Sequence, residues 1–343
     1  MGIDAGTQPG TGGTGGAEGA GGRVGPGTGA AARSGPPLLT RDVELVLVSY
    51  RSAHQIRALL ANLPEDLPVV VVDNASDVDG LSRLPEERPA TRYVDSGGGK
   101  GFAKAANMGA RTSTREFVVF GNPDSRPTAA HLQALVDDVA ADPALAASAA
   151  TMTGVDGRVE LGVGGWEPSP ARALVHAAGL HKVFPRAGLY ARPRPGERIE
   201  VDWTTGACMA VRRETFLALG CFDEDFYVYN EDMAFGRSAR EAGLRERLRT
   251  DVVVPHAAGG SGAPSLEMLR LRGAAMRRYL SRHHSAATVQ GISAVLALGY
   301  AVRTAQCRVL KRTDRAEQHW AYVKGVTTGR ATVAGRVVVD RAS

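Results

Sequence analysis

Three short runs of uninterrupted apolar residues constrain this chain most: ELVLVSY at 44–50, PVVVVD at 68–73 and EFVVFGNPD at 116–124. Val, Leu and Phe follow one another there without polar alternation, the pattern of a strand covered on both faces, as in parallel sheets of α/β proteins. Helical patterns separate the runs. Ser52 is placed to cap a helix reaching Leu63 that carries Ile56, Leu59 and Leu60. A second helix carries Phe102, Ala105, Ala106 and Met108, and Thr128 can cap a third that reaches Ala141 with Leu132, Leu135, Val136 and Val139 on one face. Residues 91–94 and 145–152 supply two further strands. This alternation predicts an α/β fold with a doubly wound, mostly parallel sheet and flanking helices, and 343 residues are enough for a sizeable core.

Residues 1–37 are mostly Gly, Ala, Thr and Pro, so a disordered leader is expected there; it lacks the apolar stretch of a secretory signal, and no export is inferred. Residues 153–200 show no sustained period and read as an irregular excursion inside the domain. Beyond Val201 the pattern gives a strand at 207–211, helices at 214–219 and 231–242, a short strand at 252–255 and a Leu/Met/Arg-rich helix at 264–282. Residues 285–302 carry no charge and are followed by Arg303, Arg308, Lys311 and Arg312. That run is only weakly apolar, which favours a helix on an anionic surface or packed on the domain over one that spans a bilayer. The net charge of +5 favours anionic ligands without choosing among small molecules, nucleic acid and membrane. Cys208, Cys221 and Cys307 have neither disulfide nor zinc-site spacing, which makes a reducing compartment the default.

Asp73, Asp124 and His256 each follow an apolar strand, and the carboxyl ends of such strands form the ligand-binding rim of an open α/β sheet. Carboxylates with an imidazole can hold Mg²⁺ or Mn²⁺ and leave positions for a diphosphate. The plain alternatives are a turn carboxylate at Asp124 and a structural histidine at His256. Residues 97–107, with four glycines, Lys100 and Lys104, suit a phosphate-binding turn before a helix, or simply a flexible one; they match neither the dinucleotide nor the P-loop fingerprint. Glu231 and Asp232 fall in a first helical turn, where one carboxylate raises its neighbour's pKa and the helix dipole lowers it. They read as a general base with its partner, or as two ordinary solvated acids.

Taken in order, VSY (48–50), VVDNAS (71–76), GKGFAKAANMG (99–109), GNPD (121–124), DWTTGACMAVRRETF (202–216), GCFDEDFYVYNEDMAFGRSAREAG (220–243) and HAAGGS (256–261) resemble family 2 glycosyltransferases of the GT-A fold. The resemblance covers residues 43 to about 262, with a fainter echo to about 308. It implies a GT-A domain at 38–262, with a nucleotide-sugar half at 38–150 and an acceptor and catalytic half at 201–262, then a basic helical extension at 263–343. It also implies that Ser49, Tyr50, Asp73, Asn74, Lys100, Gly101, Asn107, Asn122 and Asp124 hold a nucleotide-sugar donor. Asp124 and His256 would bind Mn²⁺ or Mg²⁺. Trp203 and Glu231 would meet a carbohydrate or lipid-linked acceptor, and Asp232 would take the proton of the attacking hydroxyl, inverting the anomeric centre.

Two positions depart from the family pattern. Asn122 stands where the first metal-site Asp is usual, and Gly99 where the glycine loop normally has Asn. Asn122-Pro123-Asp124, the GGS after His256 and the basic helical tail are similar to enzymes that move rhamnose from dTDP-rhamnose to a lipid-linked GlcNAc diphosphate. The resemblance thus implies a cytoplasmic protein in peripheral contact with the inner face of the cell membrane, without a nucleic-acid partner. Two other readings compete. A sugar nucleotidyltransferase shares the fold class but needs a G-x-G-x-R-rich start after the first strand, which is absent here. A non-catalytic membrane-peripheral scaffold would treat Asn122 as the mark of a lost site.

Overall fold

The computed structural model describes residues 35–339 apart from 155, 161, 193 and 257–264. Nearly all of the expected leader, and the GGS after His256, lie outside the described residues. The strands are β1 (Val43–Ser49), β2 (Val69–Asp73), β3 (Thr91–Asp95), β4 (Phe117–Gly121), β5 (Leu145–Thr153), β6 (Gly164–Gly165), β7 (Arg198–Val201), β8 (Trp203–Thr204), β9 (Cys208–Arg212), β10 (Arg245–Pro255), β11 (Ala331–Val333) and β12 (Arg336–Val339). The helices are α1 (Leu39–Asp42), α2 (Ala53–Leu60), α3 (Leu84–Glu87), α4 (Phe102–Thr112), α5 (Ala129–Ala141), α6 (Pro170–Ala177), α7 (Arg213–Ala218), α8 (Glu231–Glu241), α9 (Leu266–His283), α10 (Ala286–Val309) and α11 (Thr313–Thr328).

Eight strands form one sheet in the order β3-β2-β1-β4-β9-β5-β10-β7. The pairs β2/β3, β1/β2, β1/β4 and β5/β10 are parallel, whereas β9 and β7 run antiparallel to their neighbours. Both faces are covered, which is why β1, β2 and β4 read as unbroken apolar runs. Leu45, Leu47, Val69, Val71, Phe117 and Val119 pack on one side with Ile56 and Leu59 of α2 and Leu135 and Val139 of α5. Val46, Val70, Val72, Val118 and Phe120 pack on the other with Ala103 and Ala106 of α4, Phe216 of α7 and Phe235 of α8. Each large side chain so buried contributes roughly 1.5–3 kcal/mol.

The C-terminal helices form a separate core on the same domain, in which Met276, Tyr279, Ile292, Leu296, Tyr322 and Val326 meet Trp203, Phe226 and Met233. By length and composition α10 is the one helix among the described residues that could cross a membrane. In the fold, Val289, Ile292 and Leu296 on one of its faces are buried in this core, while Leu298 and Val302 are exposed.

Several local expectations change. Ser52 does not cap α2: its hydroxyl pairs with that of Ser49 at 2.8 Å, and the Ala53 N–H is taken by Asp79 at 2.8 Å. Thr128 does cap α5, in a reciprocal box with His131. The short strand expected at 252–255 is the end of the 11-residue β10. Its first half carries charged residues that find partners inside the fold, among them Arg247 with Asp138 and Glu246 with Thr204. The C-terminal extension does not stay helical, because β11 and β12 form a hairpin that packs on α9 and on Tyr227 to Tyr229.

Candidate active site

Two cavities meet at the carboxyl edge of β1, β2 and β4, and Phe102 and Val228 line both. The larger, of about 700 Å³, is walled by Val48 near the end of β1 and Tyr50 just after it, Asn74 to Ser76 after β2, the glycine loop, Tyr227 and the hairpin residue Arg336. Asn74 organises this wall by accepting the Ser96 hydroxyl at 2.9 Å and the Lys100 N–H at 2.7 Å. Gly101 is left-handed, with φ of 88°, and a Cβ there would lie 2.3 Å from the Tyr227 carbonyl oxygen. Only glycine lets the loop come that close, and the Phe102 N–H then donates to the same carbonyl at 2.7 Å. The result is a concave run of backbone beside Lys100, suited to a phosphate group.

The smaller cavity, of about 220 Å³, gathers Asn122, Trp203, Glu231, Asp232, Tyr190, Tyr229, Arg272 and Tyr322. Tyr229 and Asn230 are both left-handed, with φ of 72° and 69°, and turn the chain sharply into α8 so that Glu231 and Asp232 open the helix at the cavity. Burial pushes Asp232 up to about 6 against the opposing pull of the Met233 N–H and Arg272. Its Oδ1 accepts that N–H at 2.8 Å. Glu231 is 5% exposed, its Oε2 has no hydrogen-bond partner among the described residues, and burial together with the Asp232 charge raises its pKa well above the usual carboxylate range. Behind them Glu246, buried on β10, accepts the Thr204 hydroxyl at 2.7 Å and is pushed up to about 8 by burial.

Between the cavities and β10 lies a third cluster. The Ser125 N–H and hydroxyl both donate to the Asn122 carbonyl, at 3.1 and 2.7 Å, and fold 122–125 into a tight turn. The Arg126 N–H donates to the Pro255 carbonyl at 2.8 Å and ties that turn to the end of β10. His256 Nε2 therefore stands 2.9 Å from Asp124 Oδ1, while its Nδ1 is 3.0 Å from both oxygens of Glu160. Burial works against its charged form, yet the two carboxylates more than offset this and push the imidazole up to about 10.

The metal-binding expectation changes accordingly. His256 presents no open ligand position, since both ring nitrogens face carboxylates. Among the described residues no set of three His, Cys, Asp or Glu side chains forms a metal cage. Mg²⁺ and Mn²⁺ commonly bind one or two carboxylates and take their remaining ligands from water and substrate phosphates. Asp124 fits that donor set, with Asn122 two residues before it.

Of the other expected donor residues, Tyr50, Asn74, Lys100 and Gly101 line the larger cavity and Asn122 the smaller. Ser49, Asp73 and Asn107 are buried and line neither. The Asp73 carboxylate is used by the Ala75 and Asp77 N–H groups and the Tyr93 hydroxyl, which holds the loop after β2. Asn107 is clamped to the Phe222 backbone in both directions, at 2.8 and 3.0 Å, and joins α4 to the segment before α8. Trp203 forms a buried wall of the smaller cavity, edge-on to Tyr190.

Four residues went unremarked in the sequence. Glu160 closes the Asp124–His256 cluster. Glu167 takes Arg237, Arg240, Tyr279 and His284 as partners and so braces α8 against α9. Arg272 reaches the smaller cavity from α9, and Arg336 overhangs the glycine loop. No local pattern marks the two acids or Arg336, and Arg272 sits in a Leu/Met/Arg-rich helix where one arginine looks like another.

The sheet order and the cavities at its carboxyl edge are those of the GT-A fold. The fold matches the mannosyltransferase of Pyrobaculum calidifontis solved with GDP-Man and Mn²⁺, with a TM-score of 0.53 and 20% identity over 83% of this chain and 87% of that one. It also matches GalNAc-T7 solved with UDP, GalNAc and Mn²⁺, with a TM-score of 0.50 and 12% identity over 84% of this chain and 56% of that one. Residues 45–216 match the family described as Glycosyl transferase family 2, and the chain belongs to that family. It is 27% identical over 269 residues to N-acetylglucosaminyl-diphospho-decaprenol L-rhamnosyltransferase of Mycobacterium tuberculosis, covering 72% of this chain and 86% of the relative. It is 26% identical over 209 residues to the low-salt glycan biosynthesis hexosyltransferase of Haloferax volcanii, covering 59% and 63%. The chain is thus a glycosyltransferase using a nucleotide-sugar donor, which sets aside the nucleotidyltransferase and scaffold readings.

Proposed function

We propose that this enzyme moves a sugar, rhamnose by its likeness to the mycobacterial relative, from a nucleoside-diphosphate donor to a hydroxyl of a lipid-linked acceptor, inverting the anomeric centre. The observation that carries this reading is the position of Asp232. It lies in a small cavity that also contains Asn122 and Trp203 and shares Phe102 and Val228 with a larger one walled by the glycine loop.

The nucleoside occupies the larger cavity against Tyr50 and Asn74, and its diphosphate lies along Lys100 and Gly101 towards Asn122 and Asp124. Asp124 would hold Mg²⁺ or Mn²⁺, and that ion would supply positive charge to the departing diphosphate. Trp203 forms an apolar wall for the sugar. With Oδ1 held by the Met233 N–H, Asp232 uses Oδ2 to accept the acceptor's hydroxyl proton. As the proton leaves, the oxygen bonds to the anomeric carbon and the bond from that carbon to the diphosphate oxygen breaks. Glu231, whose pKa burial and the neighbouring Asp232 charge raise well above the usual carboxylate range, lies beside the acceptor. His256 stays protonated between Asp124 and Glu160 and fixes the Asp124 carboxylate. The acceptor's lipid places the enzyme at the inner face of the cell membrane.

Binding of a panel of nucleotide sugars, with and without Mn²⁺, tests the donor assignment. The true donor raises the melting temperature in proportion to the logarithm of its concentration above Kd. Asp124→Ala is expected to weaken metal-dependent donor binding by on the order of 10–100-fold, and unchanged metal dependence in titration calorimetry would contradict the role given to Asp124. Arg272 acts on Asp232 as a cation and lowers its pKa. Arg272→Met removes that charge, so the acid limb of the kcat/KM profile should move to higher pH; an unmoved limb would show that Asp232 does not control it.

A further inference from the structure

Behind the active cavity, α6, the 3-10 turn at Leu180–Lys182, α10 and α11 enclose a second space of about 710 Å³ that sugar transfer does not use. His176, His181, Arg192 and Arg303 line it, and each has a buried nitrogen without a hydrogen-bond partner among the described residues: both Nδ1 atoms, Arg192 Nε and Arg303 Nη1. The two histidines are each 6% exposed and stack at 4.9 Å. No acidic residue is among the lining residues, and Lys182 adds a further cation at the exposed edge. Two arginines and Lys182 beside one space lined by no acid favour a ligand that is anionic and has several acceptor oxygens, which is the chemistry of a phosphate group.

The surroundings indicate what carries that phosphate. Leu174, Leu298 and Val302 line the same space at 60%, 67% and 49% exposure, and Val183 and Phe184 stand just beyond Lys182 at 71% and 57%. Exposed apolar side chains beside a cationic recess suit the interface of an anionic bilayer better than open water. Inside, the His176 ring meets Tyr190 edge-on at 5.3 Å, and Tyr190 lines the active cavity.

We propose that this recess is a binding site for the phosphate of a membrane lipid, which seats the enzyme on the bilayer one aromatic layer behind its active cavity. Arg192 and Arg303 donate to the phosphate oxygens, the two imidazoles complete the shell, and Leu298, Val302 and Phe184 enter the interface. The site stands independently of the sugar-transfer mechanism, so its test needs no substrate. Deleting α10 and α11 is a poor test, since it would remove Ile292, Leu296, Tyr322 and Val326 from a shared core.

The test is flotation of the full chain with vesicles of phosphatidylcholine alone or mixed with phosphatidylglycerol, together with a titration of inorganic phosphate. Binding is expected only to the mixed vesicles. Arg192→Gln and the exposed Lys182→Gln should each weaken it by about fivefold, with circular dichroism unchanged. Leu298→Ser should also weaken it. Folded variants that float like wild type would overturn the proposal, as would loss of flotation only on replacing Arg308 and Lys311 in the basic tail. Tight binding of inorganic phosphate without vesicle binding would overturn the lipid assignment and leave a site for soluble phosphate.

Discussion

Asp232→Asn is expected to lose roughly 10²–10⁴-fold in kcat, the usual contribution of a positioned general base, while the affinity for the nucleotide-sugar donor stays near wild type. Asn keeps the shape of the side chain and can still accept the Met233 N–H that Asp232 Oδ1 accepts at 2.8 Å. It cannot take up the acceptor's proton. The loss should therefore appear in the chemical step and leave the cradle of Asn74, Lys100 and Gly101 intact. The wild-type profile has a matching signature. Burial holds Asp232 at about 6, so its basic form is present above that pH. Below about pH 6 kcat/KM should fall by about tenfold per unit as the carboxylate is protonated, and the Asn variant should lack this limb. Steady-state kinetics across pH, paired with donor calorimetry, distinguishes these outcomes; an Asn variant with near wild-type kcat would remove Asp232 from the mechanism.

A comparable loss should follow from one methyl group at Gly236, which touches no substrate. Gly236 lies on α8 one turn after Asp232, where a Cβ would stand 2.3 Å from the Asp202 carbonyl oxygen and 2.9 Å from Trp203 Cα. Both obstacles are the backbone of the segment that carries Trp203, so neither can rotate away. Gly236→Ala must push α8 off β8, at a cost of roughly 1–3 kcal/mol for overpacking. The shift carries Asp232 away from the sugar, and a displacement of this kind costs on the order of 100-fold in rate. Glu167, which braces α8 through Arg237 and Arg240, resists the movement and concentrates the strain. Denaturant unfolding and kcat should fall together; an Ala variant of wild-type stability and rate would show that the α8 contact does not set the geometry.

The sheet and the cavity rim were legible in sequence for a physical reason. β1, β2 and β4 are covered on both faces, so their apolar runs could be little else, and the loops after them fall where such sheets bind ligands. Tyr50, Asn74, Lys100, Asn122, Glu231 and Asp232 all line one of the two cavities. β10 was read only in its last four residues because Glu246, Arg247 and Arg249 look like solvated surface until Thr204 is folded against the first and Asp138 against the two arginines. Asp73 and Asn107 share positions with the family's motifs, yet their side chains are used up in holding loops, a distinction that spacing alone does not express. The irregular excursion concealed most. Glu160, Glu167 and Tyr190 have no period to betray them, since their positions are set by contacts with His256, Arg240 and Trp203 more than 10 residues away in sequence. Arg272 stayed hidden because an arginine on an Arg-rich helix looks like any other until the helix packs over Tyr190 and Tyr229.

A donor on one face of this cavity pair, with Asp232 preparing a hydroxyl opposite the leaving group, requires inversion at the anomeric carbon. Its most direct test is a proton NMR time course of the enzyme with dTDP-rhamnose, Mn²⁺-free Mg²⁺ buffer and a lipid-linked GlcNAc diphosphate, following the anomeric signals of donor and product. Acceptor-dependent release of the nucleoside diphosphate is expected, with a new glycoside of the opposite anomeric configuration. A product that retains the donor's configuration would contradict this mechanism.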